Sequence, residues 1–295
     1  MKVLNFGSLN LDYVYSVDTL VKAGETISSK DFNIEFGGKG LNQSIALAKA
    51  GVSVYHAGLI GKNGIILKDF CKANNVNTEN VKIVDKQTGH AIIQIDNKAE
   101  NSIILYKGAN FEVTKEYVDE VLLDFREGDY IILQNEISMV DYIIEEAHKK
   151  GMIVVFNPAP ITEAVKDINL EYVNYLIVNE TEAFSLTGEE DVEKSARILK
   201  KLYEDTFIVI TLGSKGLIYI EKSEVIKIEA NKVKAVDTTA AGDTFIGYFV
   251  AMILKGFNGH DSLKLANKAS AIKVTRKGSA KMIPTIKEVL DFNFW

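Results

Sequence analysis

Five short runs, "KVLNFG", "YIILQNE", "MIVVFNPAP", "NYLIVNE" and "FIVITLGSKG", are dense in β-branched and other apolar residues, with Gly, Asn or Pro at or near their ends. Runs that apolar suit strands buried on both faces of a parallel sheet. Helical patterns lie among them, at 40–50, 62–74, 114–123, 138–150, 181–204 in pieces, 243–255 and 260–275. The alternation predicts a doubly wound α/β fold, a mostly parallel sheet flanked by helices, with ligands at the carboxyl ends of the strands. With 295 residues, 47% of them hydrophobic, the chain is long enough to bury a large core.

Residues 12–36 and 88–107 break the alternation. Both read as strands without intervening helices, the second as a hairpin around "DNKAEN". Together they predict a small sheet inserted in two pieces, too thin to stand alone and therefore in need of a ligand or a second copy against one face. The remaining stretches, 1–11, 37–87 and 108–295, form the expected α/β body. Three prolines and no low-complexity run give no linker between domains.

Charge and chemistry narrow the function classes. A net charge of -6 gives no footprint for nucleic acid or an anionic membrane. The opening "MKVLNFGSLNLD" breaks its apolar run at Asn5 and Gly7, so it reads as neither a signal peptide nor a spanning helix. The single cysteine, Cys71, has no partner within the chain and fits a reducing compartment, so a cytoplasmic protein is expected. Four scattered histidines offer no zinc pattern, and no G-x-S-x-G elbow is present. Starting at Gly38, the last glycine of G-x-G-x-x-G falls on Gln43, which argues against a nicotinamide dehydrogenase; no phosphate-loop motif G-x-x-x-x-G-K-[ST] occurs either.

Five stretches carry the polar residues expected at strand ends. "AAGD" (Ala240, Ala241, Gly242, Asp243) opens the apolar helix "GDTFIGYFVAMILK". A helix N-terminus preceded by small residues is a ready anion cradle, and Asp243 reads there as a helix cap or as a general base. "FGGKGLNQSIALAKAG" sets Gly38, Lys39, Gly40 and Asn42 at another glycine-rich helix entry, where backbone and amide face either a polyhydroxylated ligand or nothing. "GSLNLD" places Asn10 and Asp12 at the end of the first strand, an amide and a carboxylate suited to paired hydroxyls. "NETEAFSLTG" puts Asn179 and Glu182 at a helix start, where Glu182 complements the helix dipole or serves Mg²⁺ directly or through its waters. "TLGSKG" (Thr211 to Gly216) is a strand end and turn that fits a nucleotide or an ordinary β-turn.

Taken with "GET" (24–26), "NPAP" (157–160), "AVDTTAAGDTF" and "VTRKG" (274–278), these motifs run nearly end to end and resemble those of the PfkB, or ribokinase-like, family of small-molecule kinases. The resemblance implies an ATP-dependent kinase that transfers the γ-phosphate to the primary hydroxyl of a pentose. It assigns Asp243 as the base and Ala240, Ala241 and Gly242, with Asp243, as the anion hole. Asn10, Asp12, Gly38, Lys39, Asn42 and Glu136 match positions that hold the sugar; this set suits ribose, and deoxyribose or another furanose uses much of it. Asn179, Thr211, Gly213, Lys215, Gly216 and Asn267, with Gly242, match positions around ATP, and Glu182 belongs to the element linked with Mg²⁺. The inserted strands match a lid that pairs subunits, which implies a homodimer. Fructose and pseudouridine kinases are the alternatives within the family. A silent sugar-binding regulator is the alternative outside it, although such a protein would be expected to lose the base or the anion hole.

The resemblance also implies a monovalent cation, such as K⁺, at a loop matching Asp237, Thr239, Arg276 and Gly278 within 273–282. Here the chain departs from the family pattern, with Lys281 and Met282 where Pro and Ser are usual. A serine oxygen is lost and an ammonium is placed nearby, which argues against potassium activation and predicts that Lys281 supplies part of the cation's field. Leu41 and Ile246 are further departures, next to the sugar and the base.

Overall fold

The computed structural model describes residues 1–98, 100–221 and 223–292, with residues 164 and 166 described by their backbone alone. The expected hairpin turn includes residue 99, and the expected body includes residues 222 and 293–295, all of which lie outside the described residues. In chain order the elements are β1 (Val3–Phe6), β2 (Asn10–Ser16), β3 (Asp31–Gly37), α1 (Lys39–Lys49), β4 (Val54–Ile60), α2 (Ile65–Ala73), β5 (Val76–Asn77), β6 (Val81–Ile83), β7 (Gly89–Ile95) and β8 (Asn101–Tyr106). They continue as α3 (Lys115–Leu122), β9 (Tyr130–Gln134), α4 (Val140–Lys149), β10 (Ile153–Asn157), β11 (Tyr175–Asn179), α5 (Glu180–Thr187) and α6 (Val192–Leu202). The last are β12 (Phe207–Thr211), β13 (Leu217–Glu221), β14 (Glu224–Ile228), α7 (Ala241–Leu254), α8 (Gly259–Val274) and α9 (Ile286–Asp291).

The main sheet runs β14-β13-β12-β11-β10-β9-β1-β4-β5, with β6 also paired to β4. It is parallel from β12 to β5, and β13 runs against the other strands, pairing antiparallel with β12 and with β14. Side chains alternate between two cores, as the two-residue period of a strand requires. Val3, Ile132, Val155 and Ile177 face α1, α7 and α8, while Leu4, Ile131, Leu133, Phe156 and Val178 face α3, α4 and α6. The chain therefore is a doubly wound α/β protein. Its order reverses about β1, which lies between β9 and β4, and the carboxyl edge there is the switch point at which such sheets bind ligands.

A second sheet of four strands, β3-β2-β7-β8, is assembled from two separated stretches of chain. It grows directly out of the body, because β2 starts four residues after β1 ends. Registry fixes its two faces: Asn10 and Asp12 point one way with Leu105, while Tyr13, Tyr15, Phe32, Ile34, Ile92 and Ile104 point the other.

Two close approaches set the site. A Cβ at Gly40 would lie 2.4 Å from Ser8 N and 2.5 Å from Gly7 C, so α1 begins in direct contact with the backbone that follows β1. A Cβ at Gly247 would lie 2.4 Å from Ala46 Cβ, so α7 lies tightly along α1. Both helices thus present their first turns to the carboxyl edge of the sheet.

Candidate active site

Asp243 does not cap its helix. Residue Ala240 holds the cap position of α7 in a left-handed conformation (φ 58°) with no side-chain cap, and Asp243 lies in the first turn. Its two carboxylate oxygens accept hydrogen bonds from Asn42 Nδ2 (2.9 Å) and Gln43 Nε2 (3.0 Å) of α1. Both donors are buried amides, so the carboxylate is oriented without a paired cation in contact with it. Gln43 is held in turn by Gln134 Nε2 (2.8 Å), and Gln134 also donates to Asn5 Oδ1 (2.9 Å). Asn5 donates to Ser44 Oγ (2.8 Å), which meets His56 Nδ1 (2.7 Å). A buried polar chain therefore runs from Asp243 back beneath α1. Burial pushes the His56 imidazole down to about 4, so it stays neutral near pH 7.

Ala240, Ala241, Gly242 and Asp243 line a cavity of ≈ 250 Å³ with Lys39, Asn157, Asn179, Glu182 and Thr211. Among the described residues, the Gly242 and Asp243 amides have no acceptor, and a Cβ on Gly242 would meet nothing within 4 Å. Unpaired amides on a helix dipole above open space form an anion cradle. Burial would lower the Lys39 ammonium, but the carboxylates of Asp243, Glu136 and Glu182 outweigh it and hold Lys39 above the ordinary lysine range.

A second cavity of ≈ 280 Å³ adjoins Asn10 and Glu136 under the small sheet, with Leu105, Asn110 and Asn135 among its walls. Glu136 accepts from Ser8 Oγ (2.6 Å) and the Lys39 amide (2.9 Å), and burial holds its carboxyl above the usual carboxylate range despite the Lys39 charge. Asn10 Oδ1 accepts from Asn110 Nδ2 (2.7 Å). Gly38 takes φ 91°, a left-handed turn that leads into α1 and leaves Lys39 and Asn42 on the site side. Asn42 Oδ1 is buried with no hydrogen-bond partner, an acceptor awaiting a donor such as a hydroxyl. Burial, then Glu136 and Glu35, push the Asp12 carboxyl up to about 7.

The remaining expected positions divide. Asn179 and Glu182 form a reciprocal capping box at α5, Glu182 N donating to Asn179 Oδ1 and Asn179 N to Glu182 Oε2, and both still line the cavity. Thr211 lines it too. Gly213, Lys215 and Gly216 form the turn after β12, where Lys215 pairs with Glu180 at 3.5 Å. Asn267 lies away from the cavity and donates to the Glu229 carbonyl (2.8 Å). Ser8, Gln43, Gln134 and Asn110 join the site without having stood out in the sequence. Each lies between apolar or turn residues, and each has a partner 91 to 200 positions away.

The loop expected to hold a monovalent cation is closed around a side chain of this protein. Asp237 accepts the Thr239 amide (2.9 Å) and the Gly278 amide (2.8 Å) on its carboxylate. Its carbonyl accepts from Lys273 Nζ (3.1 Å), as does that of Arg276 (3.5 Å). The Arg276 guanidinium turns outward to Glu288 (2.6 Å). Lys281, expected to contribute here, instead lies over the Phe36 ring at 4.6 Å, where a cation–π contact and exposure to solvent suit it better than a dry loop.

Fold and site together define a kinase of small alcohols, and the comparisons agree: residues 1–286 match the pfkB family of carbohydrate kinases, and the chain belongs to it. Its relatives include the ribokinase of Haemophilus influenzae, 37% identical over 97% of this chain and 96% of that one. The structure of a Cryptococcus neoformans var. grubii ribokinase in complex with ADP superposes with a TM-score of 0.84 at 33% identity, covering 98% of this chain and 99% of that one. That of an Arabidopsis thaliana ribokinase complexed with ribose and ATP gives 0.86 at 28% identity, covering 99% of both. Among the described residues no helix is long and apolar enough to cross a membrane.

Proposed function

We propose that this protein phosphorylates D-ribose on its primary hydroxyl at the expense of ATP. The observation that carries this reading is Asp243, fixed by two amides on the wall of the anion cradle, beside Lys39, whose amide is bonded to Glu136 of the cavity under the small sheet. In the proposed reaction the hydroxyl oxygen attacks the γ-phosphorus, the bond to the β-phosphate oxygen breaks, and the hydroxyl proton passes to Asp243. Free amides of Gly242 and Asp243 receive the charge on the transferring group, which suits a reaction dominated by positioning. Asn10, Asp12, Asn42 and Glu136 supply acceptors for the other sugar hydroxyls, and Asn179 and Thr211 line the nucleotide side.

In this reading Mg²⁺ would be held largely by water and phosphate. Glu182, with one oxygen engaged by the Asn179 amide, is the residue to hold it or its waters; the ion would neutralise charge on the phosphates. The direct test is ATP consumption against ribose, 2-deoxyribose, fructose, adenosine and pseudouridine. Fastest turnover on ribose supports the assignment, turnover on another compound moves the substrate, and none on any compound rejects the reading.

Sugar binding should be coupled to protons through Asp12. Hydroxyls donate to a carboxylate, so bound sugar favours the ionised form of a group that titrates at about 7 in the empty protein. Affinity is expected to fall as pH drops through that value, with protons released on binding. The folding term has the opposite sense. Because the folded value lies above the ordinary 3.8, Asp12 contributes its stability in full below about pH 4 and loses it as pH rises through about 7. Calorimetric titration with ribose in buffers of unlike ionisation heat measures the release. Affinity flat from roughly pH 6 to 8 with no buffer dependence would reject the coupling.

The outer face of the small sheet supports a homodimer. Phe32, Ile34, Ile92 and Ile104 are exposed on one face, together with the rings of Tyr13 and Tyr15, and such a surface asks for cover. A second copy supplies the same sheet, which makes the contact self-complementary. Sedimentation is expected to give a dimer that Ile104→Asp converts to monomer; a monomeric unmodified protein would count against the interface.

A further inference from the structure

Lys273 is wholly buried near the end of α8, an expensive place for an ammonium. Burial pulls it below the ordinary lysine range and the Asp237 carboxylate opposes the shift. Among the described residues no carboxylate accepts a hydrogen bond from it. Its donors go to the main-chain carbonyls of Asp237 and Arg276, which is how a protein commonly cages a bare monovalent ion. Around it two segments are stapled together: the Val236 and Asp237 amides donate to the Val274 carbonyl (2.7 and 3.1 Å), and Gly278 N donates to the Asp237 carboxylate. The stapled segment continues through Thr238 into Ala240 and the unpaired amides of Gly242 and Asp243. Ser270, one turn before Lys273 on α8, donates to the Ala241 carbonyl at 2.9 Å.

We propose that Lys273 is a tethered cation that takes the place of a free monovalent ion, positioning the anion cradle so that this enzyme works without added potassium. The carbonyls of Asp237 and Arg276 are occupied by the ammonium, and the Asp237 carboxylate by two amides, so the loop as built does not fit a separate K⁺. Lys273 touches no substrate atom and acts as a positioning residue.

The test uses the full chain, with the proposed kinase activity as one readout and thermal melting as another that does not depend on it. Unmodified protein is expected to turn over equally in potassium and in tetramethylammonium chloride, and to melt at the same temperature in both. Lys273→Met is expected to lose roughly ten- to a hundredfold in kcat with a smaller change in KM, the scale of losing charged hydrogen bonds. Potassium or ammonium, but not tetramethylammonium, should restore both its rate and its melting temperature, because a ligand bound only by the folded state stabilises it. A steep potassium requirement in the unmodified protein would overturn the proposal. So would a folded Lys273→Met that is fully active without added cation, or one that no small cation rescues. If Lys273→Met does not fold, Lys273→Arg and the cation response of the unmodified protein still decide. Loss of melting rescue speaks against Lys273's role, whereas absent turnover with intact melting rescue speaks against the assigned reaction.

Discussion

Asp243→Asn is expected to lower kcat about 10³-fold, within the 10²–10⁴ range typical of a positioned general base, and also to lower stability. The second effect follows from the partners. Both carboxylate oxygens of Asp243 accept from amide NH₂ groups, of Asn42 and of Gln43. Asparagine offers one oxygen and one NH₂, so a donor faces a donor unless the Asn42 amide turns to present its Oδ1, and that turn leaves the Asn42 NH₂ buried without an acceptor. Turning the Gln43 amide does not cure this, because its oxygen already accepts from Gln134. The conflict moves along the buried chain to Asn5, and leaving one group unpaired costs about 1–3 kcal/mol. Paired measurements of kcat with ribose and of the denaturation midpoint check both parts. A variant within a few-fold of full activity would remove Asp243 from the role of base. Lost activity at unchanged stability would show that the amide chain rearranges more cheaply than its geometry implies.

Gly40→Ala is expected to disable the protein from the opposite direction, through the backbone. The new Cβ would meet only main-chain atoms, of Ser8 and Gly7, at 2.4 to 2.7 Å. No side chain can swing away, so α1 must lift from the end of β1. Overpacking of this kind typically costs about 1–3 kcal/mol, and a backbone clash belongs at the upper end or beyond. The displacement also separates Lys39 and Asn42 from Glu136 and Asp243, so KM for the sugar should rise in whatever fraction remains folded. Chemical denaturation and a sugar saturation curve measure the two. Unchanged stability would mean that the contact between helix and strand is looser than described.

How far the sequence revealed this arrangement depends on the kind of signal. The strands β1 and β9 to β12 were legible because burial on both faces makes them continuously apolar. β4 was not, because "VYHAGLI" is interrupted by His56 and Gly58. The first is buried for the sake of Ser44, and the second is bare because a Cβ there would come within 2.6 Å of Gly7 O. The antiparallel β13 and β14 were missed because they follow β12 with no helix between, against the rhythm of the rest. In the site, Asn10, Asp12, Asn42 and Asp243 stand at glycine-marked strand or helix ends and announce themselves. Gln43 and Gln134 are ordinary polar residues whose meaning lies in a partner 91 positions away. Lys273, in "SAIKVTRKG", reads as a surface lysine among other basic residues, and only its complete burial sets it apart from Lys281. At Asn179 and Glu182 the structural reading does not displace the proposed one, since the capping box is formed at the wall of the cavity proposed for the nucleotide.

The acidic character of the proposed sugar site would set how the protein responds to its substrate. Asp12 stands directly across from Glu35 in the strand pairing and near Glu136, so the empty site holds carboxylates that repel one another. In the proposed reading, bound sugar would offer them hydroxyl donors and relieve that tension, while the unfolded chain has no such site to fill. The folded state therefore gains more from its substrate than lock and key alone would give. If sugar fills this site as proposed, the filled protein is expected to open less often to proteases than the empty one, because the ligand binds the folded state alone.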